Sequence, residues 1–198
     1  MMYVEYIERD RTMPVEIFRY LGNQESAWSE KSVDRLVLQL GRTMRLGPHP
    51  SYLALWEIPD LKRLDEWEEY FHSPAAGQNR RSQAMHRAIN IQRAGVYDVL
   101  AQHQPQVHSL FVVEYYQPQG VSTEEALATI LRRAKKHSEV SIAYILMRIG
   151  ALGPEPSLLA IWNGSSYFAF EQLFRDEECA SLKLETCGVY RKLGDEIL

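Results

Sequence analysis

Hydrophobic residues fall into short runs, alternating or continuous, separated by polar breaks that contain glycine or proline. That is the pattern of strands and turns. Runs rich in β-branched and aromatic residues predict strands at 3–7 and 110–116. A helix is expected over 14–21. A clearer one starts at Ser122 or Thr123, with Glu124 and Glu125 in its first turn, and runs to about Lys136. Long strands follow at 34–46 and 141–152. Each stops at a Gly-Pro-x-Pro-Ser segment, because proline donates no ladder hydrogen bond. Strands at 52–57 and 158–162 come next. Second helices carry Leu61, Leu64, Trp67 and Phe71 in one case, and Phe170, Leu173 and Phe174 in the other. Closing strands are expected at 94–100 and 188–193. The order β-α-β-β-α-β thus occurs twice, the ferredoxin-like split βαβ unit.

The chain also repeats at the level of residues. LGPHPSYLALW at 46–56 and LGPEPSLLAIW at 152–162 match at eight of eleven positions, at an offset of 106. Val4-Glu5-Tyr6 answers Val113-Glu114-Tyr115, and Gly95-Val96-Tyr97 answers Gly188-Val189-Tyr190. Two units are expected: 1–100 with an inserted helical segment at about 73–93, and 109–198. The polar stretch 101–108, AQHQPQVH, is their linker. The second long strand is apolar on both faces, with Ile142, Tyr144 and Leu146 against Ala143, Ile145 and Met147. Such a sheet is covered on both sides. The fold class is therefore α+β, with two tandem ferredoxin-like units packed sheet to sheet within one chain.

Composition narrows function by exclusion. With 22 Lys plus Arg against 26 Asp plus Glu, the net charge of −4 lacks the basic face that nucleic-acid binding needs. No apolar run approaches the roughly 20 residues of a membrane span. The N-terminus MMYVEYIERD does not read as a secretory or transit signal. Cys179 and Cys187 are too few for a disulfide framework or a four-ligand metal site, and a cytoplasmic setting is expected. No P-loop, Gly-rich dinucleotide turn, nucleophile elbow or HExxH motif occurs, so no cofactor or metal is expected.

VEYIERDRTMP, LGPHPSYLALWE and LKRLDEWEEYF together resemble a NIPSNAP-type domain of the dimeric α+β barrel superfamily. They share its Tyr/Glu pair in the first strand, its Gly-Pro turn and its aliphatic strand ending in Trp. The resemblance covers most of the first unit and, more weakly, the second. The polar segment 23–32 after a short first helix departs from the pattern. The superfamily includes cofactor-free oxygenases, isomerases, lyases and haem-handling proteins, so it constrains the reaction weakly.

Arg42 and Arg148 correspond between the copies, each on an apolar face, as do Glu5 and Glu114 in the first strands. A buried guanidinium needs an anionic partner or a wet pocket. Two readings stand: structural ion pairs with Glu5 and Glu114, or groups facing a cavity. The first unit has 13 extra residues between its Trp and its Gly-Val-Tyr. They lie in a segment that carries Arg80, Arg81, His86, Arg87 and Arg93, and form either a packed outer helix or a lid. The catalytic candidates are His86, His72 and Arg42. The substrate-binding candidates are Tyr6, Tyr97, Trp56 and Glu5, and the ligand site is expected in the first unit. The expected function is a cofactor-independent enzyme of oxygenase, isomerase or lyase type acting on a hydrophobic, aromatic or polyketide-like small molecule. The alternative is a non-catalytic small-molecule-binding or protein-interaction module of NIPSNAP type. A homodimer is also open. A haem protein would call on His72 or His86 as axial ligand.

Overall fold

A computed structural model describes residues 1–9, 34–44, 46–47, 50–74, 89–103, 108–176 and 182–193. Among them are eight strands: β1 (Met2–Arg9), β2 (Arg35–Arg42), β3 (Tyr52–Glu57), β4 (Ile89–Gln102), β5 (Leu110–Pro118), β6 (Val140–Arg148), β7 (Leu158–Gly164) and β8 (Leu182–Lys192). Three α-helices accompany them: α1 (Lys62–His72), α2 (Thr123–Lys136) and α3 (Glu171–Phe174). A 3-10 turn at Phe168–Phe170 leads into α3. The expected helix at 14–21, most of the inserted segment and linker residues 104–107 lie outside the described residues. Residues 89–93 belong to β4 rather than to an inserted helix.

All eight strands are antiparallel and close into one barrel, in the order β1-β3-β2-β8-β5-β7-β6-β4. Each half contributes one order, β4-β1-β3-β2 or β8-β5-β7-β6. The halves join where Leu40–Arg42 of β2 meet Tyr190–Lys192 of β8, and where β4 meets β6. The inner sheet faces do meet, but the expected stacking is incomplete as a description, because the edges pair as well. Closure satisfies the four edge strands that two separate sheets would leave open.

The barrel interior is side chain throughout its centre. Met2, Val4, Tyr6, Leu53, Leu55 and Tyr97 from the first half face Phe111, Val113, Tyr115, Leu159, Ile161 and Tyr190 from the second. A bulge shifts the register between Leu36 and Leu38 in β2, and another between Ile142 and Tyr144 in β6. The bulges explain a misplaced face. Ile142 packs outside, under α2, while Tyr144 and Leu146 point into the barrel.

The helices cover the outer faces. Ser122 caps α2 by accepting from Glu125 N at 3.2 Å, while the Glu125 carboxylate accepts from Ser122 N at 2.9 Å. This reciprocal box fixes where the helix starts. It aims Ala126, Thr129, Ile130 and Arg133, one i, i+3, i+4, i+7 stripe, at the sheet. On the first half, α1 is anchored through buried Asp34. Asp34 accepts from Arg63 at 2.7 and 2.8 Å and from Trp67 Nε1 at 3.0 Å.

Candidate functional site

The described members of the sequence-selected set lie in different places. Tyr6 and Tyr97 lie inside the barrel, both buried, with their hydroxyls 2.7 Å apart. Tyr115 and Tyr190 take the matching positions from the second half, and these rings pack together in the buried barrel core. Burial pushes the Tyr6 and Tyr115 phenols well above the ordinary tyrosine value, and the neighbouring Tyr97 and Tyr190 add to the effect on both. Trp56 and Glu5 are on the outer face of the first half, with Trp56 Nε1 donating to Glu5 Oε2 at 3.0 Å. His72 is exposed at the end of α1. His86 lies outside the described residues.

The arginines also depart from expectation. Arg42 donates to the carbonyl of Gly47 at 3.0 Å. Arg148 donates to the carbonyls of Gly150 and Gly153 at 3.1 and 2.9 Å and to Glu155 at 2.5 Å. Each guanidinium braces the Gly-Pro turn that follows its own strand instead of crossing to a strand-one glutamate. The reason is reach. The turn oxygens are within five residues, whereas strands one and two are separated by strand three, on the order of 10 Å.

The charged site is built elsewhere, on the second half. Glu114, in the middle of β5, is 1% exposed and points outward toward α2. Its Oε2 accepts from Trp162 Nε1 at 2.7 Å, Tyr116 Oη at 2.7 Å and Arg133 Nη1 at 2.9 Å. Its Oε1 receives only a longer bond, 3.3 Å, from Arg133 Nη2. Arg133 also donates to Tyr116 Oη and, at 2.9 Å, to the carbonyl of Leu173, and its guanidinium lies 5.5 Å from the Trp162 ring.

This cluster forms part of the wall of a cavity of about 640 Å³. The remaining lining is mostly apolar: Leu173, Phe174, Leu182, Leu184 and Val189, with Leu46 and Gly47 contributed by the first half. Cys187 and Asp176 complete it. Burial and the neighbouring Glu114 raise the Cys187 thiol above its ordinary value, so it stays protonated at neutral pH. Asp176 is held from the α2 side by His137 Nε2 at 2.6 Å and Lys136 Nζ at 3.3 Å. The volume suits a small organic molecule, and the lining has the usual make-up of such a site, apolar with a few convergent polar groups. Among the described residues, no histidine lines it and no cluster with metal-ligand character occurs.

The two halves differ here among the described residues. On the first half, Trp67 of α1 packs edge-on against Tyr3 and Trp56, with centroids 5.2 and 6.4 Å away. On the second half the corresponding helix, α3, is four residues long and brings Leu173 and Phe174 instead. Arg133 was legible in part: it completes the apolar stripe of Ala126 and Ile130, although its basic neighbours made it look like a solvated helix end. Nothing in the sequence singled out Asp176.

No family model and no curated protein matches the chain. Solved structures do. A chlorite dismutase-like protein superposes with a TM-score of 0.63 at 8% identity, over 96% of this chain and 93% of its own. An anthrone oxidase-like protein gives 0.56 at 14%, over 99% and 94%. A monooxygenase-like protein from Fusobacterium nucleatum gives 0.53 at 9%, over 97% and 90%. At these identities the likeness is one of fold, and the fold is that of the dimeric α+β barrels. No described helix is long and apolar enough to cross a membrane.

Proposed function

We propose that this chain is a small-molecule enzyme of the dimeric α+β barrel class, built from two fused ferredoxin-like units of NIPSNAP-like sequence. It acts without a bound organic cofactor or metal on a hydrophobic, aromatic or polyketide-like substrate. The site is the cavity of the second half, not a pocket under the first-half insertion. The observation that carries this reading is a cavity of about 640 Å³ with apolar walls and a buried Glu114–Arg133–Tyr116 cluster. The oxidase-like and monooxygenase-like neighbours favour oxygenation among the three reaction types. In this reading the apolar walls hold the ring system. Glu114 Oε1, the acceptor with spare capacity, takes the hydrogen of the substrate's enol or phenol. Arg133, Tyr116 and Trp162 fix the carboxylate in place so that this geometry is ready before binding.

A panel of enolisable hydroxyaromatic ketones, followed by oxygen consumption and product mass, tests the proposal. Turnover should fall by about 100-fold in Glu114→Gln, the usual size of a lost acid/base group. It should also fall in Leu184→Trp, which fills the cavity. Turnover unchanged in both variants overturns the assignment. The second reading, a non-catalytic binding module, draws on the same cluster, since its charges satisfy one another as structural pairs do. Under that reading the panel binds and is recovered unreacted.

A further inference from the structure

The cavity contains an arginine, yet its four terminal N–H donors are already engaged, and its Nε, which makes no hydrogen bond, is buried away from the open space. Nη1 of Arg133 serves Glu114 Oε2 and Tyr116 Oη, and Nη2 serves Glu114 Oε1 and the Leu173 carbonyl. Four terminal N–H bonds meet four protein oxygens. The Tyr116 hydroxyl is itself directed at Glu114. The other ionisable groups in the described lining are Asp176, also a carboxylate, and Cys187, held as a neutral thiol. Lys136 and His137 meet Asp176 from behind and do not line the cavity.

An anion entering this space leaves its water and meets two carboxylates, with no uncommitted side-chain cation among the described lining. Burial of a charge without a partner is strongly unfavourable. A neutral hydroxyl fares differently. It is a donor, and Glu114 Oε1 carries only the 3.3 Å bond from Arg133. Resting on the reading of this cavity as the ligand site, we infer that it selects neutral hydroxyl-bearing aromatic molecules and rejects their carboxylate counterparts. Glu114 Oε1 is the acceptor, and Asp176 adds to the rejection.

The test uses three probes of one shape on the full-length protein at neutral pH, by calorimetry: 2-naphthol, 2-naphthoate and 2-methylnaphthalene. The expected order is naphthol tightest and naphthoate weakest, with naphthol favoured over naphthoate by about tenfold or more, as the stranding of a buried charge requires. Asp176→Asn, which keeps a hydrogen-bonding side chain, should tighten naphthoate several-fold. Leu184→Trp should weaken naphthol, tying the signal to this cavity. Naphthoate binding as tightly as naphthol overturns the inference and leaves the cavity reading intact. Methylnaphthalene equal to naphthol removes Glu114 as acceptor and overturns it also. Failure of all three probes to bind, or naphthol binding unchanged by Leu184→Trp, overturns the cavity reading itself.

Discussion

Four of the buried tyrosines of the barrel show how the same residue type carries different energies a few ångströms apart. Tyr6 and Tyr97 share one 2.7 Å hydrogen bond in a dry core. The Tyr115 hydroxyl makes no well-formed hydrogen bond, although Tyr190 lies beside it. Removing one partner of a buried bond strands the other, at a cost of about 1–3 kcal/mol, whereas removing an unsatisfied hydroxyl costs little. Tyr6→Phe should therefore destabilise by about 1–2 kcal/mol in chemical denaturation, and Tyr115→Phe should be neutral or stabilising. Met44 offers a gain. It has φ 51°, a left-handed conformation, and its side chain is 76% exposed, so little packing is lost on its removal. The equivalent turn position in the second half is Gly150, at φ 54°. Met44→Gly should raise stability by about 1 kcal/mol.

At the scale of elements, the residues that repeat in the sequence are those that lock the halves together. The Gly-Pro turn of each half docks on the Gly-Val-Tyr strand of the other. Val96 N donates to Leu152 O at 2.8 Å and Ile149 N to Val96 O at 2.9 Å. Val189 and Leu46 make the matching bond at 3.1 Å, and Thr43 N donates to Val189 O at 2.9 Å. A Cβ on Gly153 would sit 2.7 Å from the Gly95 Cα, and one on Gly47 would sit 2.4 Å from the Gly188 Cα. Gly153→Ala, at φ +144° and against backbone, should cost about 2–4 kcal/mol. Gly120→Ala, at φ +68° with nothing within 4 Å, should cost about 1 kcal/mol. Equal costs would mean that the docking adds nothing. The turns and strand order were readable because they rest on local rules of proline, glycine and period-two patterning. The bulges beside Val37 and Ala143 were not, because one extra residue in a ladder leaves no mark in an apolar run. The site was hidden for a related reason: Arg133, Glu114 and Asp176 are far apart in sequence and meet only in the folded chain.

For the whole molecule, closure within one chain has two consequences. The barrel needs no second copy to satisfy its edges. It also stores its tyrosines where ionisation is resisted. Because the fold raises the phenols of Tyr6 and Tyr115, the folded state keeps protons that the unfolded chain gives up. Stability is therefore full below the ordinary tyrosine value of 10.0 and is lost as pH climbs above it toward the raised values. Phenolate absorbance should rise in one step with alkaline unfolding, ahead of which only the exposed tyrosines titrate; gradual titration of all tyrosines in the folded protein would contradict a dry barrel core. The central claim is the location of the ligand site, and a crystal soaked with 6-bromo-2-naphthol tests it most directly. The account predicts an anomalous bromine peak among Leu173, Leu184 and Cys187, with the naphthol oxygen on Glu114 Oε1. Bromine on the first half against Trp56 and Trp67, or inside the barrel beside Tyr97, would contradict it.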